Sequence, residues 1–368
     1  MRSLYIHFPF CEVKCHYCDF YSLGKSRTRA GDADLFQTAL HTEATQATAF
    51  LDSSLDTLFL GGGTPSMTHY DSLAYSLEPL WKKTHPALDA EWTIEVNPSS
   101  VDLSALKAYR KLGINRVSMG VQALRDDLLL KLGRVHSRTK ALEALAAVFE
   151  AGFQNVSVDL LCGVPSQTPQ DLEEAMETLT KFPITHLSCY LLTLPPHHKM
   201  YPDLPNEHTQ LEHLLLIHDR MSSQGFEHYE ISNFSKPGKQ AKHNLNYWKG
   251  DSYLGIGPSA HSFDAKQSKR WKNVSSLHKY AKLLNDGETP IEWTETLTQE
   301  QINLESWMLA LRLSDGFPEE WLKTSVQKER VKLFETKGFL ERHPEELARW
   351  RLTPTGFALS DQVIQSLA

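Results

Sequence analysis

Three cysteines near the start of the chain carry its most specific chemistry. Cys11, Cys15 and Cys18 sit in Leu4-Tyr-Ile-His-Phe-Pro-Phe-Cys11-Glu-Val-Lys-Cys15-His-Tyr-Cys18-Asp-Phe20, a C-x3-C-x2-C spacing. A closed structural zinc site takes four protein ligands, so three thiolates do not complete one. They can hold three irons of a [4Fe–4S] cube and leave the fourth iron open to a small molecule. A zinc site completed by His7 or His16 is the competing use of these cysteines, and bare surface thiols would oxidise. Leu4 to Phe8 reads as a short strand that Pro9 stops. The ligand loop therefore hangs from a strand end, where barrel enzymes keep their chemistry.

Further polar or glycine residues recur at the ends of later strand-like runs. Gly61-Gly62-Gly63-Thr64-Pro65 follows Thr57-Leu-Phe-Leu60, and glycines there let backbone groups approach a ligand closely, although a tight turn alone would also need them. Glu95 closes the run Glu91-Trp-Thr-Ile-Glu95-Val96 and could accept hydrogen bonds from ribose hydroxyls; a solvated strand-end carboxylate is the plainer use. Gln122 in Gly120-Val-Gln122, Arg134 in Leu132-Gly-Arg134 and Asp159 in Val158-Asp159-Leu-Leu repeat the pattern. For Arg134 and Asp159 the plain alternative is structural ion pairing around a barrel mouth. Cys162 and Cys189 lie in strand-like runs and read as small core residues.

Positioning these residues requires the alternation that the chain displays. Strands near residues 4–8, 57–60, 91–96, 116–119, 155–161 and 186–190 are separated by helical patterns near 35–51, 70–83, 103–112, 125–132, 140–152 and 170–182. Apolar strands alternating with helices predict parallel β/α units with right-handed crossovers. Six units are too few for a closed eight-stranded barrel, so the expected fold is α/β, an open partial (β/α)6 barrel over residues 1–228. A helix is expected over 207–223, then a loop-like connecting segment over 229–274. Residues 275–368 read as a smaller, mostly helical C-terminal domain, winged-helix-like in its two closing strand-like pieces.

Composition narrows the class. With 368 residues, 41% hydrophobic and 23% charged, the chain is an ordinary globular protein. A net charge of −7 argues against a general nucleic-acid binder. The sequence has no apolar run of transmembrane length and no visible signal peptide. Five cysteines, three of them clustered, fit a reducing cytoplasm rather than a disulfide framework.

The cysteine spacing, with Tyr17 just before the last cysteine, resembles the signature of the radical S-adenosylmethionine (SAM) superfamily. Tyr5-Ile-His-Phe-Pro-Phe-Cys11, Gly61-Gly-Gly-Thr-Pro65, Gly120-Val-Gln122 and Asp159-Leu-Leu-Cys-Gly-Val-Pro165 together resemble its oxygen-independent coproporphyrinogen III oxidase group. The resemblance implies the partial barrel, a [4Fe–4S] cluster on Cys11, Cys15 and Cys18, and one or two SAM molecules. By resemblance Tyr5, Gly62 and Glu95 contact the first SAM, and Tyr17, Gly63, Thr64, Gln122, Arg134 and Asp159 the second. The oxidases cleave SAM reductively and convert two propionates of coproporphyrinogen III to vinyls. Where they carry a further cysteine this chain has Phe20, and an N-terminal extension they use is not expected here.

His243-Asn244-Leu-Asn246-Tyr247-Trp248 reads H-N-x-x-Y-W, a motif shared with the haem chaperones of the same group. A neutral imidazole can ligate haem iron, and Tyr247 and Trp248 offer flat faces to a porphyrin; an aromatic hinge is the structural alternative. The resemblance, which spans nearly the whole chain, implies a cytoplasmic carrier that passes haem to acceptor proteins. Acceptors associated with a membrane, peripheral placement there, and a homodimer are compatible with it. The alternative within the group is oxygen-independent coproporphyrinogen III dehydrogenase.

Overall fold

The computed structural model describes residues 1–367. Six strands form the centre of one sheet: β1 (Ser3–Phe8), β2 (Ser54–Gly62), β3 (His85–Val96), β4 (Arg116–Gln122), β5 (Asn155–Cys162) and β6 (His186–Leu191). They are parallel and lie in chain order. Their side chains are buried almost continuously, as strands covered on both faces require. Leu4, Ile6, Leu58, Leu60, Ile94, Val117, Met119, Val156 and Val158 share one core with the helices outside.

Those helices are α1 (Asp32–Ala47), α2 (Tyr70–Lys83), α3 (Leu103–Lys111), α4 (Asp126–Leu132), α5 (Arg138–Glu150), α6 (Pro169–Leu179) and α7 (Glu207–Ser223). Several begin on side-chain caps: Asp102 for α3, Ser137 for α5, and a Thr168/Asp171 capping box for α6. The partial (β/α)6 barrel is therefore present.

The sheet is larger than expected. It has nine strands, extended at one edge by β7 (Glu227–Glu230) and β8 (Asn233–Ser235), with β8 antiparallel to β6 and β7 antiparallel to β8, and at the other by β9 (Leu254–Ile256), parallel to β1. The segment read as loop-like thus completes the barrel, and the expected break at residue 228 falls inside β7. Strands of three or four residues show no usable period, which is why they were not legible. The same segment contains α8 (Lys242–Trp248). Strand β3 also starts six residues early, in an exposed stretch whose Leu88 is fully solvent-facing.

Beyond the barrel, β10 (His261–Asp264), β11 (Lys269–Asn273) and β12 (Ile291–Thr296) make a second antiparallel sheet, absent from the sequence reading. Helix α9 (Leu277–Asn285) packs back on α1 through Val274, Tyr280, Ala281 and Leu284. The last part has its own core of Trp307, Leu311, Phe317, Val331, Leu340, Trp350 and Leu352. It comprises α10 (Gln299–Ala310), β13 (Phe317–Pro318), α11 (Ser325–Thr336), β14 (Leu340–Arg342), β15 (Arg349–Leu352), α12 (Pro354–Ala358) and α13 (Ser360–Leu367). Helices followed by a β14–β15 hairpin match the winged-helix expectation, but residues 275–296 pack with the barrel side.

Candidate functional site

Parallel strands all end on the same side, so their C-terminal ends form a mouth. A cavity of about 440 Å³ opens there. Cys11, Cys15 and Cys18 line it together with Tyr17, Gly62, Gly63, Thr64, Glu95, Gln122, Arg134 and Asp159. Residues that are far apart in sequence thus meet because most lie near the C-terminal ends of neighbouring strands, with Arg134 following α4.

The cysteine loop is fixed from three sides. The His16 backbone N–H donates to Leu132 O (3.1 Å), and His198 Nε2 donates to His16 O (2.9 Å). From beneath, His7 Nε2 bonds the Tyr21 carbonyl at 2.8 Å. A carbonyl only accepts, so Nε2 carries the proton, and Nδ1 accepts from the Tyr5 hydroxyl at 3.0 Å. The Thr64 hydroxyl points at Cys11 Sγ (3.6 Å) and Arg134 Nη1 at Cys15 Sγ (3.5 Å). Burial pushes the Cys11 and Cys18 thiols up, partly offset by hydrogen bonds.

This arrangement fits a cluster better than zinc. Among the described residues no three His, Cys, Asp or Glu side chains converge as a single-metal site requires. His7 spends both ring nitrogens inside the barrel, and His16 Nδ1 donates to Lys131 O (3.0 Å). Three thiols lining one cavity can serve separate irons of a cube and leave the fourth iron to a ligand.

The opposite wall is polar and enclosed. The Gly62 N–H donates to Glu95 Oε2 (3.0 Å), and burial, then the nearby Asp159, push the Glu95 carboxyl up to about 8. Burial also raises Asp159, against donation from the Ser118 hydroxyl (3.2 Å). Two buried carboxyls whose proton affinity is raised suit hydrogen bonding with a ligand's hydroxyls. Arg134 Nη2 donates to Asn97 Oδ1 and to Gly120 O (2.6 Å), while its Nε is buried without a partner. An orphaned donor beside a cavity is what a bound carboxylate or hydroxyl would satisfy.

Backbone strain gathers at the same place. Gly62 has φ +102°, and a Cβ there would lie 2.5 Å from the His7 ring. Gln122 is a non-glycine residue at φ 68°, beside a register shift between β4 and β5. Left-handed backbone in a residue with a side chain is held only where surrounding structure imposes it, and such positions cluster at ligand sites.

Not every expected residue lies at this mouth. Tyr5 sits one layer below it, its hydroxyl on His7, and does not line the cavity. The H-N-x-x-Y-W residues lie at the other end of the barrel. Helix α8 closes that end against the first residues of the parallel strands: Glu91 accepts from the N–H groups of Lys242 and His243 (both 3.1 Å), and Asn246 Nδ2 meets Ser3 Oγ. His243 is 1% exposed. Its Nδ1 bonds the Thr57 hydroxyl (2.8 Å), its Nε2 the Tyr247 hydroxyl (2.7 Å), and its ring stacks on Phe59 at 5.1 Å. Burial, with Arg116 nearby, pushes it down to about 3, so the ring is neutral. Iron ligation by His243 would first have to break one of these bonds. Asn244 is partly buried on the same helix, and the Arg312 guanidinium lies 5.4 Å from the Trp248 ring.

The sequence reading missed Asn97, Ser118 and Tyr190, all lining the mouth. Asn97 directly follows the Glu95 strand end and was the most accessible signal. Phe20, which replaces a cysteine of the oxidases, lines the mouth and is 64% exposed.

Comparison with known proteins places this architecture. The sequence model of the Radical SAM superfamily matches residues 5–179. The heme chaperone HemW of Bacillus subtilis (strain 168) is 34% identical over 325 residues, 86% of this chain and 84% of that protein. The chain belongs to the HemW family. The HemW of Mycobacterium tuberculosis (strain ATCC 25618 / H37Rv) is 32% identical over 373 residues, covering 99% of this chain and 94% of the relative. The fold is shared more widely: Escherichia coli coproporphyrinogen III oxidase (HemN), described as a radical SAM enzyme, superposes with TM-score 0.83 at 21% identity, covering 99% of this chain and 89% of that one. No helix among the described residues is long and apolar enough to cross a membrane.

Proposed function

We propose that this HemW-family chain is a haem chaperone: it binds haem and delivers it to acceptor haem proteins. Near full-length similarity to proteins named heme chaperone carries the reading. In it, Cys11, Cys15 and Cys18 hold a [4Fe–4S] cluster. Gly62, Gly63, Thr64, Glu95, Gln122, Arg134, Asp159 and Tyr17 hold SAM at the mouth, supported from below by Tyr5. A reduced cluster of this type supplies one electron to bound SAM.

The chain's own residues supply the rest. Arg134 and Thr64 direct N–H and O–H groups at thiol sulfurs, which stabilises thiolates in an enclosed site. His7 fixes the loop that follows Cys18. The segment His243, Asn244, Tyr247 and Trp248 is the haem-binding region of this reading, on a helix remote from the cysteines. A cytoplasmic location, acceptors at a membrane surface and a homodimer are further parts of the proposal.

The test is anaerobic cluster reconstitution followed by haem titration in the Soret region, with and without SAM and coproporphyrinogen III. Stoichiometric haem binding without a porphyrin product is expected. Conversion of coproporphyrinogen III with release of 5′-deoxyadenosine would replace this reading by the dehydrogenase, which the HemN-like fold allows.

A further inference from the structure

A second large cavity lies on the far side of α8 from the barrel interior. Its volume is about 500 Å³, within the range of about 300–1,000 Å³ typical of small-molecule sites. Trp248, the last residue of the H-N-x-x-Y-W run, forms part of one wall; Phe263 of β10, Ile302 and Leu309 of α10, and Trp321 of the winged-helix part form others. The lining is mostly apolar and contributed by three separate parts of the chain, so it is a seam held open by their packing. Among its lining residues there is no imidazole, thiol or thioether.

The rim carries the polar groups. Lys249 is exposed and has no ion pair among the described residues. Arg349 donates from Nε to Asp315 O (2.9 Å) and from Nη2 to Gly316 O (2.7 Å) and lies 3.9 Å from Glu346, with Nη1 free of a hydrogen-bond partner among the described residues. Of the two acids at the rim, Glu305 shares the Arg270 guanidinium with Glu295 (both 2.7 Å); Asp315 is the other. An apolar slot with two aromatic walls and cationic groups at its edge matches a flat tetrapyrrole whose carboxylates stay at the surface. His243, by contrast, is inside the barrel with both nitrogens engaged.

We propose that this cleft, entered beside Trp248, is where the porphyrin macrocycle binds, held by its flat apolar body and edge carboxylates and not by His243 on the iron. The inference rests on the haem-carrier reading and specifies its site. It has a consequence that iron ligation does not: metal-free protoporphyrin IX binds nearly as well as haem.

The experiment titrates the full, cluster-reconstituted chain with haem and with protoporphyrin IX, following the Soret band and the quenching of tryptophan fluorescence. Expected are dissociation constants for the two ligands within about threefold, as contacts shared by both imply. Ser306→Trp, which fills the cleft, weakens both by about tenfold or more, the scale of lost apolar burial. Lys249→Glu, a surface change that leaves the core intact, weakens both by about threefold to tenfold. Haem binding without protoporphyrin binding overturns the proposal, as does unaltered haem affinity in a folded Lys249→Glu protein. If wild-type protein binds neither ligand, the haem-carrier reading itself falls. If haem alone binds and His243→Phe abolishes it, that reading stands and only the cleft is refuted.

Discussion

Glu43 offers a sharp test of how this fold balances burial against hydrogen bonding. It sits in α1, buried, and its carboxylate accepts from Gly257 N–H (2.6 Å), Asn273 Nδ2 (2.6 Å) and the Tyr280 hydroxyl (2.5 Å). These bonds tie α1 to the chain after β9, to β11 and to α9. Burial pushes the carboxyl from its ordinary 4.5 up to about 7, although all three donors pull it down. A raised carboxyl pKa means that the folded state binds the proton more tightly than the unfolded one. Stability from this group is therefore complete below about pH 4.5 and is lost as pH rises through about 7. At ~1.4 kcal/mol per decade of proton affinity, the loss is about 3 kcal/mol. Glu43→Gln keeps the shape and removes the titration. Urea unfolding of the cluster-free protein, followed anaerobically by tryptophan fluorescence, would give wild type minus variant at each pH. That difference should fall by about 3 kcal/mol between about pH 4.5 and about pH 8. A difference flat over this range would refute the reasoning, and would mean that three donors outweigh desolvation and keep Glu43 ionised.

Two other substitutions probe the mouth. Gly62→Ala places a Cβ 2.5 Å from the His7 ring at φ +102°, so it should cost about 2–3 kcal/mol and weaken SAM binding, read by thermal unfolding and equilibrium dialysis; unchanged values in both would show that the loop relaxes freely. His7→Phe leaves the Tyr21 carbonyl and the Tyr5 hydroxyl without their partner, a cost of about 1–3 kcal/mol for each group that stays dry. The cluster's visible absorption should then decay several-fold faster under a chelator, and an unaltered decay would show that the cysteine loop does not depend on this support.

The parts of this fold that were legible in the sequence are those whose burial leaves a pattern. Strands such as Val156–Leu161 carry Val156, Val158 and Leu160 in the core shared with the outer helices, and Gly61–Gly63 marked a close approach that the His7 ring and the Phe8 and Phe10 carbonyls now account for. The illegible parts lack such a trace. Strands β7 and β8 are three or four residues long, and β12 is exposed along most of its length, so neither alternation nor an apolar run announces them. The site divides in the same way. Gln122 and Asp159 were found because they lie in strand-like runs and Arg134 because it follows a Leu-Gly helix end, whereas Asn97 was passed over two residues beyond Glu95. The position of His243 had no sequence signal at all: a seven-residue polar helix gives no hint that one ring on it packs inside a barrel.

That position constrains how the two halves of the function can be related. The cysteines stand at the C-terminal ends of the parallel strands, while α8 rests on Ser3, Thr57 and Glu91 at their N-terminal ends. Six residues of β1 separate the two, about 20 Å at the usual rise per strand residue. A porphyrin beside α8 is therefore out of contact with anything held by Cys11, Cys15 and Cys18, and a reaction at the mouth cannot act on it directly. What connects the ends is the barrel interior: His7 under the cysteine loop, Tyr5 bonded to it, Phe59 stacked between Tyr5 and His243, and Tyr247 on His243. With haem beside α8, as proposed, the spatial separation favours a carrier whose two ends influence one another through packing over an enzyme that processes that porphyrin. For catalysis on a porphyrin, the substrate would have to enter the other cavity, past Phe20.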